Sequence, residues 1–562
     1  MEEKAKEILE KFLPPKELWP QFKIPEEYEK LPSEINLAEE ILTKAIEEGK
    51  KNKVAIYYED QKITYREIDV LSNKLASSLV ELGLEPYDRV ALRFRNAPEG
   101  VIANFAVLKA GGIPVTMHPR WSRHEIKHVA NDCKAKFIIT QIYPDVIGEI
   151  EAVKDEIPVK NIIACGDEEK TKEKGYIAYE ELIKKGKKDF EPVRKSKDAP
   201  AVLLYTSGTT GPPKGCAHFP AGILAEIDAV GREVWKFTED DVLGTPAPMT
   251  FALGYGALCM IPYRFGISAS VMARPDPEYV FSMIEKHGVT VLSILPTWYR
   301  KVLPILDKLM EKYDISSVRM FTGGGEALGA DTAVKWAEKT GKMVLEGFGA
   351  TEFFYIVMSN SIPEKPKAGS LGKPLSVFEI KVYNPETKEM AERGEGVMLL
   401  RGPTGTVYWN PYDYNQKLYK KMKEEIIEGY VSLGDTVEID DEGYVWYRGK
   451  GEDIIKSSGY RIGADEIETA IKEHEAVDDA GVVGAPHPVR GEDVVAFVVL
   501  KQGYKGDEEM KKKLLEFLST KIAKYKLPRE IFFVDSLPRH TTGKLLRREL
   551  KKLAQEMYKP KD

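Results

Sequence analysis

The sequence predicts an α/β fold in two parts: a large N-terminal domain of helix-covered β-sheets with a β-rich subdomain, then a small C-terminal α+β domain. Three observations lead there. At 562 residues the chain is too long for one hydrophobic core and is expected to divide. Helical and strand patterns alternate over 35–200 and again over 277–296, which argues for parallel sheets covered by helices. Past residue 395 the pattern shifts to short antiparallel strands, and past 450 to a compact mixture of helices and strands. The expected domains are therefore 1–450 and 451–562. Their boundary falls at Lys450-Gly451-Glu452-Asp453, a polar stretch containing a glycine.

In chain order, helical spacing runs over 68–82, a short strand over 89–92 and a second helix over 100–110. Gly111-Gly112 then turns into a strand at 113–115. A helix from 277 ends near Gly288 and is followed by an apolar strand over 289–295. Strands at 396–400, 436–439 and 444–447 come next, with Asp441-Glu442-Gly443 as the hairpin turn between the last two. The C-terminal unit has helices near 465–474, 507–523 and 544–557, and strands near 480–484, 493–500 and 530–534.

Composition narrows the function. A net charge of −7 gives no reason to expect nucleic acid as a partner. Cys133, Cys165, Cys216 and Cys259 are scattered without a Cys-x-x-Cys pair, so neither a metal site nor a disulfide framework is indicated. The N-terminus is charged with no apolar signal core behind it, and no stretch approaches the roughly 18 apolar residues of a membrane span. A cytoplasmic protein is expected. Lysine and glutamate dominate the charges while glutamine is scarce, a balance that points to a thermophilic source.

The richest segment is Leu203-Leu204-Tyr205-Thr206-Ser207-Gly208-Thr209-Thr210-Gly211-Pro212-Pro213-Lys214-Gly215. Its glycines let backbone amides turn toward an anion, and the hydroxyls of Thr206, Ser207, Thr209 and Thr210 add donors. Lys214 supplies the point charge a polyphosphate needs. The common nucleotide loop has Gly before the Lys and opens a helix. Here Pro213 precedes Lys214 and disfavours helical backbone at Pro212, so the loop is expected to run into a turn. A Gly/Thr surface turn is the plain alternative.

Three further sites carry chemistry of their own. Phe321-Thr322-Gly323-Gly324-Gly325-Glu326-Ala327-Leu328 follows a short strand, and its glycines leave a slot where a flat ring can lie on bare backbone. A glycine turn joining strand to helix is the alternative. Asp435, after Gly434, offers a carboxylate that can accept from both hydroxyls of a ribose, although a Gly-Asp turn without a ligand is commoner. Lys544, in Pro538-Arg539-His540-Thr541-Thr542-Gly543-Lys544-Leu545, stands where a loop enters a helix and can be carried as a unit into a distant site.

With these motifs in this order, nearly the whole chain resembles the adenylate-forming superfamily of acyl-CoA synthetases, peptide-synthetase adenylation domains and luciferases. The resemblance implies ATP binding by Thr206, Ser207, Gly208, Thr209, Thr210, Gly211 and Lys214. It makes Gly325, Glu326 and Ala327 part of the adenine pocket, with Ala327 where the family usually has Pro. Glu346-Gly347-Phe348-Gly349-Ala350-Thr351-Glu352 is similar to the second nucleotide segment. There Phe348 is expected to stack on adenine, Thr351 to reach a phosphate, and Glu352 to ligate Mg²⁺. Asp435 is expected to hold the ATP ribose. The stretch from Arg448 to Gly463 resembles the family hinge and the loop after it, so the small domain is expected to be mobile. Two departures stand in it: Lys450 replaces the usual Arg, and Glu452 the usual Asp. Lys450 is expected to take the family arginine's contact to the ATP ribose or phosphate; it keeps the charge but loses the planar fork, and Arg448, two residues away, is the alternative. Ser458, Gly459, Tyr460 and Arg461 are similar to the segment lining the CoA channel. Arg490 is a weaker CoA-phosphate candidate, an exposed arginine without a ligand being the alternative. Lys544 matches the lysine that bridges the substrate carboxylate and the α-phosphate, and Lys544, Thr351 and Glu352 are the expected catalytic residues.

For the acyl group, Pro248-Met249-Thr250-Phe251-Ala252-Leu253-Gly254-Tyr255-Gly256 is apolar and uncharged. Phe251, Gly254, Tyr255, Trp298, Gly323 and His218 are the candidates, although apolar stripes are usually core. Leu13-Pro14-Pro15-Lys16-Glu17-Leu18-Trp19-Pro20 and Arg401-Gly402-Pro403-Thr404-Gly405 resemble the benzoate and 2-aminobenzoate CoA ligase branch, close to medium-chain acyl-CoA synthetases. The expected activity is thus an AMP-forming acid:CoA ligase using ATP, Mg²⁺ and coenzyme A. A benzoate-like acid is the first choice of substrate and a medium-chain fatty acid the second. The expected partners are these small molecules, for a monomer or homo-oligomer. The alternatives are an adenylation enzyme loading a carrier protein, a luciferase-like oxygenase, and a non-catalytic nucleotide-binding protein.

Overall fold

A computed structural model describes the chain except residues 207–211, 326–327, 362–364, 386, 410–419, 421, 451–453, 539–544 and 561–562. Two large sheets form the N-terminal body. The first runs, in spatial order, Lys214–His218, Val202–Thr206, Ile113–Thr116, Arg89–Arg93, Phe137–Gln141, Asn161–Cys165 and Ile177–Ala178. All neighbours are parallel except the first pair, which is antiparallel. The second sheet is parallel from Val344–Gly349 through Met320–Gly324, Val291–Ser293, Val242–Thr245 and Ser268–Val271 to Val54–Tyr58. Helices cover these sheets as the alternating pattern requires, and helix Pro98–Lys109 is buried all round between them.

Local chemistry sets the element ends. Helix Tyr65–Glu81 starts at a capping box in which Thr64 and Glu67 satisfy each other's backbone amides. Helix Pro277–His287 has Asp276 as N-cap and ends at Gly288, whose φ of 63° suits a left-handed C-cap. The apolar run over 289–295 is strand only at Val291–Ser293, because Pro296 opens the next helix and Ile294-Leu295 becomes its approach.

The antiparallel shift after residue 395 is a separate sheet built around Glu379–Tyr383, Gly394–Arg401, Asp435–Ile439 and Val445–Lys450. The C-terminal sheet pairs Val477–His487 with Gly491–Leu500, adds Glu530–Phe533 in parallel, and is flanked by helices Ala464–Lys472, Glu508–Ser519 and Arg547–Met557. Ile454–Ser457 and Tyr460–Gly463, expected as a loop, form a β-hairpin on its edge. The chain has no described helix long and apolar enough to cross a membrane.

Candidate active site

One cavity of about 200 Å³ opens where the large sheets, the antiparallel sheet and the C-terminal unit meet. A single water needs about 10–15 Å³, so this is a binding space and not a solvation void. Val202–Thr206 and Lys214–His218 form an antiparallel hairpin whose register sets Thr206 opposite Lys214. Both residues line the cavity, at the base of the loop they enclose. Ser207, Gly208, Thr209, Thr210 and Gly211 lie outside the described residues. A strand, not a helix, follows Pro213.

The end of strand Val344–Gly349 and the short turn Thr351–Phe353 bring Gly347, Gly349, Ala350, Thr351 and Glu352 to the same cavity. Gly324 and Gly325 face it from the neighbouring strand. The Lys214 ammonium sits 4.8 Å from the Tyr408 ring centroid. The Tyr408 hydroxyl lies 3.4 Å from Glu352 Oε1 and 3.3 Å from Glu425 Oε2. Burial, then the Glu425 and Glu352 charges, raise the Tyr408 phenol well above its ordinary value, so it stays a donor between two carboxylates. Cation, carboxylates and hydroxyls thus line one end of the cavity.

Ala247, Pro248, Phe251, Ala252, Leu253, Leu295, Tyr355 and Ile356 supply its apolar wall. Of the acyl-pocket candidates, Phe251 alone is part of the lining. Gly254 packs beneath, since a Cβ there would meet the Pro248 carbonyl at 2.1 Å. Tyr255 is buried with its hydroxyl on Asn104 Oδ1 at 2.7 Å. Trp298 is in the core, donating to the Pro275 carbonyl at 3.0 Å, and Gly323 is buried in its strand. His218 is 1% exposed against Phe354, and burial pushes its imidazole down to about 3, so it is neutral.

Other candidates sit one layer back. Phe348 is buried in the core cluster. Glu346 accepts from the Leu328 amide at 2.7 Å, bracing the glycine turn whose residues Glu326 and Ala327 lie outside the described set. Asp435 is 1% exposed and accepts from the Tyr447 hydroxyl at 3.2 Å. In the strand register its backbone stands opposite that of Lys450. Lys544 also falls outside the described residues.

The C-terminal unit contributes the remaining wall through the hairpin that periodicity missed. Ser458 and Gly459 have φ of 52° and 81°, the paired positive values of a two-residue hairpin turn. The Ser458-Gly459 dipeptide, a common turn former, was the available signal. Gly459 and Tyr460 line the cavity, and a Cβ on Gly459 would meet Leu295 Cδ1 at 2.6 Å. The Ser458 amide donates to the Arg490 carbonyl at 2.9 Å, and Arg461 stands opposite Lys456 in the hairpin's backbone register. Arg490 is engaged, with Nε 3.0 Å from Asp493 Oδ1. Tyr460 stacks on Tyr525 at 4.0 Å and meets Phe251 edge-on at 5.6 Å. His118 lies against Phe251 at 4.5 Å, and burial holds its imidazole well below its ordinary value. Tyr525, Leu295, Tyr355, Glu425 and Leu433 also line the cavity and carried no motif in the sequence.

Residues 43–409 match the family model for AMP-binding enzyme, and 466–544 the AMP-binding enzyme C-terminal domain. A long-chain-fatty-acid–CoA ligase of Bacillus subtilis (strain 168) is 32% identical over 527 residues, 89% of this chain and 91% of that one. A benzoate–CoA ligase of Thauera aromatica is 28% identical over 544 residues, covering 95% and 97%. The crystal structure of an anthranilate CoA ligase in complex with anthranoyl-AMP superposes with a TM-score of 0.71 at 27% identity, over 94% of this chain and 99% of that one.

Proposed function

The chain belongs to the AMP-binding enzyme family, and from that membership we propose how this AMP-forming acid–CoA ligase divides its work and which acid it takes. Its reaction uses ATP, Mg²⁺ and CoA. The observation that carries the proposal is the single cavity that collects Thr206, Lys214, Thr351 and Glu352, an apolar wall, and Gly459-Tyr460.

In the first half-reaction the substrate carboxylate attacks the α-phosphorus of ATP, the bond to the β-phosphate oxygen breaks, and pyrophosphate leaves acyl-AMP behind. Lys214 and the loop from Thr206 to Gly211 hold the phosphates, Asp435 the ribose, and Gly325-Glu326-Ala327 the adenine. Lys544 stands between the two anions, offsetting their repulsion and the charge that develops as they join. Glu352 suits Mg²⁺, which takes one or two carboxylates and completes its shell with phosphate oxygens and water, neutralising triphosphate charge when bound.

In the second half-reaction the 451–562 domain turns at the hinge 450–453, which withdraws Lys544 and brings the Ser458-Gly459-Tyr460-Arg461 hairpin to the cavity. The CoA thiol, as thiolate, attacks the acyl carbonyl and AMP departs. Docking of Gly459 against Leu295 and of Tyr460 against Phe251 supports reading this arrangement as the thioester-forming one.

For the acid, the lining from Ala247 to Leu253 with Leu295, Tyr355 and Ile356 carries no charged side chain, which favours an apolar acyl group. A benzoate-like acid fits first, in keeping with relatives named for benzoate and anthranilate; a medium-chain fatty acid is second. Pyrophosphate release measured across aromatic, medium-chain and short hydroxy acids, with and without CoA, tests this. Aromatic acids should give the highest kcat/KM, with AMP and acyl-CoA as products. A ten-fold advantage for acetate, about 1.4 kcal/mol, would reject the acid assignment.

A further inference from the structure

Outside the cavity a second contact joins the small domain to the large one, and its chemistry is ionic. Lys526, in the short turn Lys524–Lys526, has no exposed side-chain surface, and its ammonium donates to Glu125 Oε1 at 2.6 Å. The Glu125 side chain is 4% exposed. Its carboxylate is fixed by the large domain alone. Glu125 is the third residue of helix Arg123–Asp132, and Oε2 accepts from the Ser122 amide at 2.9 Å and the Ser122 hydroxyl at 3.2 Å.

Arg93 lies close enough for its charge to interact with Glu125. Its fully buried guanidinium donates to the carbonyls of Val146, His118, Pro119 and Trp121, fixing the segment that carries His118. Glu125 therefore keeps its cap whether or not the small domain is docked, while its direct ion pair is the one with Lys526. Lys526 reaches this buried carboxylate only on docking. Its chain neighbour Tyr525 lines the cavity and stacks on Tyr460, so fixing Lys526 fixes that aromatic pair.

We propose that Lys526 and Glu125 form the positioning pair that sets the register of the small domain for thioester formation. Neither touches substrate; they act through Tyr525 and Tyr460. The proposal rests on the two-step reading above. Removing two charges from water is costly, and their attraction repays it only when both partners meet in good geometry. The pair thus adds little net affinity between the domains. It penalises every docking pose that buries one charge without the other.

The test uses full-length Lys526→Met, Glu125→Gln and the double variant. Glutamine at 125 can still serve the capping box, so the helix start is retained while the charge is lost. Acid-dependent pyrophosphate release reports the first step, and thioester formation from synthetic acyl-AMP and CoA reports the second. Each single variant should lower the rate of the second step about 10²-fold, with little change in KM for CoA, because it strands a buried charge. The first step should stay within about two- to three-fold, a change small on this scale. The double variant should lose less than the product of the two single losses. Equal loss in both steps, no loss in either single variant, or strictly multiplicative losses would each overturn the pair. If the wild type makes no thioester from synthetic acyl-AMP, the two-step reading fails and takes this proposal with it.

Discussion

At the scale of single residues, the proposed mechanism assigns the two half-reactions to different side chains. In the proposed reading Lys544 serves while carboxylate and α-phosphate are being joined, where its charge offsets the repulsion of two anions. Lys544→Ala should therefore cost roughly 10²-fold or more in pyrophosphate release, the size of loss seen when one group stabilising an oxyanion is removed. Thioester formation from synthetic acyl-AMP should change far less; equal damage to both would contradict the assignment. Gly459 gives the reverse case. Its φ of 81° strains any other residue, and a Cβ would strike Leu295 Cδ1 at 2.6 Å. Gly459→Val is expected to slow the second step about ten-fold or more while sparing the first, an ordinary consequence of overpacking a tight contact. That Thr206, Lys214, Thr351 and Glu352 would share one site was legible in the sequence, because glycines, hydroxyls and a lysine at fixed spacing have few structural uses. The acyl wall was not. Phe251 stood in an apolar stretch whose neighbours Gly254 and Tyr255 turn into the core, and Leu295 and Tyr355 come from segments 60 residues apart in sequence.

At the scale of elements, helix Pro220–Ala229 is buried along its whole length yet contains Glu226. Glu226 Oε1 accepts from the Tyr355 amide at 2.9 Å, and Oε2 lies 2.8 Å from the Thr404 hydroxyl. That hydroxyl donates to the Phe353 carbonyl at 3.0 Å, so a protonated Glu226 can donate to Thr404 in turn. Burial, outweighing both hydrogen bonds, raises the Glu226 carboxyl well above its ordinary value of 4.5. A carboxyl raised in the folded state binds a proton that the unfolded chain releases near pH 4.5. Its stabilising contribution is therefore full below that pH and falls as pH rises toward the folded value, by about 1.4 kcal/mol per unit. Glu226→Gln can place its amide where the proton sat and keep both contacts. The variant should show a flatter fall of Tm between about pH 5 and 8 than the wild type. Thermal unfolding across that range checks it, and parallel curves would refute the neutral-carboxyl account. Helices and parallel strands such as 89–92 and 277–288 were readable because period and caps agree locally. The hairpin Ile454–Ser457 and Tyr460–Gly463 was not, since its turn is set by two positive φ angles and its partner strand begins at Gly491.

At the scale of the whole molecule, the domains meet through three kinds of contact that all belong to one arrangement. Gly459 packs on Leu295, Lys526 pairs with Glu125, and Arg300 Nε donates to the Val489 carbonyl at 3.3 Å. If the small domain must turn between half-reactions, holding this arrangement fixed should remove one step and preserve the other. The Arg300–Val489 contact is suited to that, because neither side chain lines the cavity. The four native cysteines are all buried, so introduced surface thiols can be labelled selectively. Arg300→Cys with Val489→Cys, joined by a short reducible dithiol cross-linker, should abolish acid-dependent pyrophosphate release. The same cross-linked enzyme should still convert synthetic acyl-AMP and CoA to thioester at close to the unlinked rate, since the hairpin already lines the cavity. Reductant should restore the first step, which separates locking from damage. Persistence of pyrophosphate release in fully cross-linked enzyme would show that acyl-AMP forms without any turn of the small domain, and Lys544 would then need another route to the phosphate.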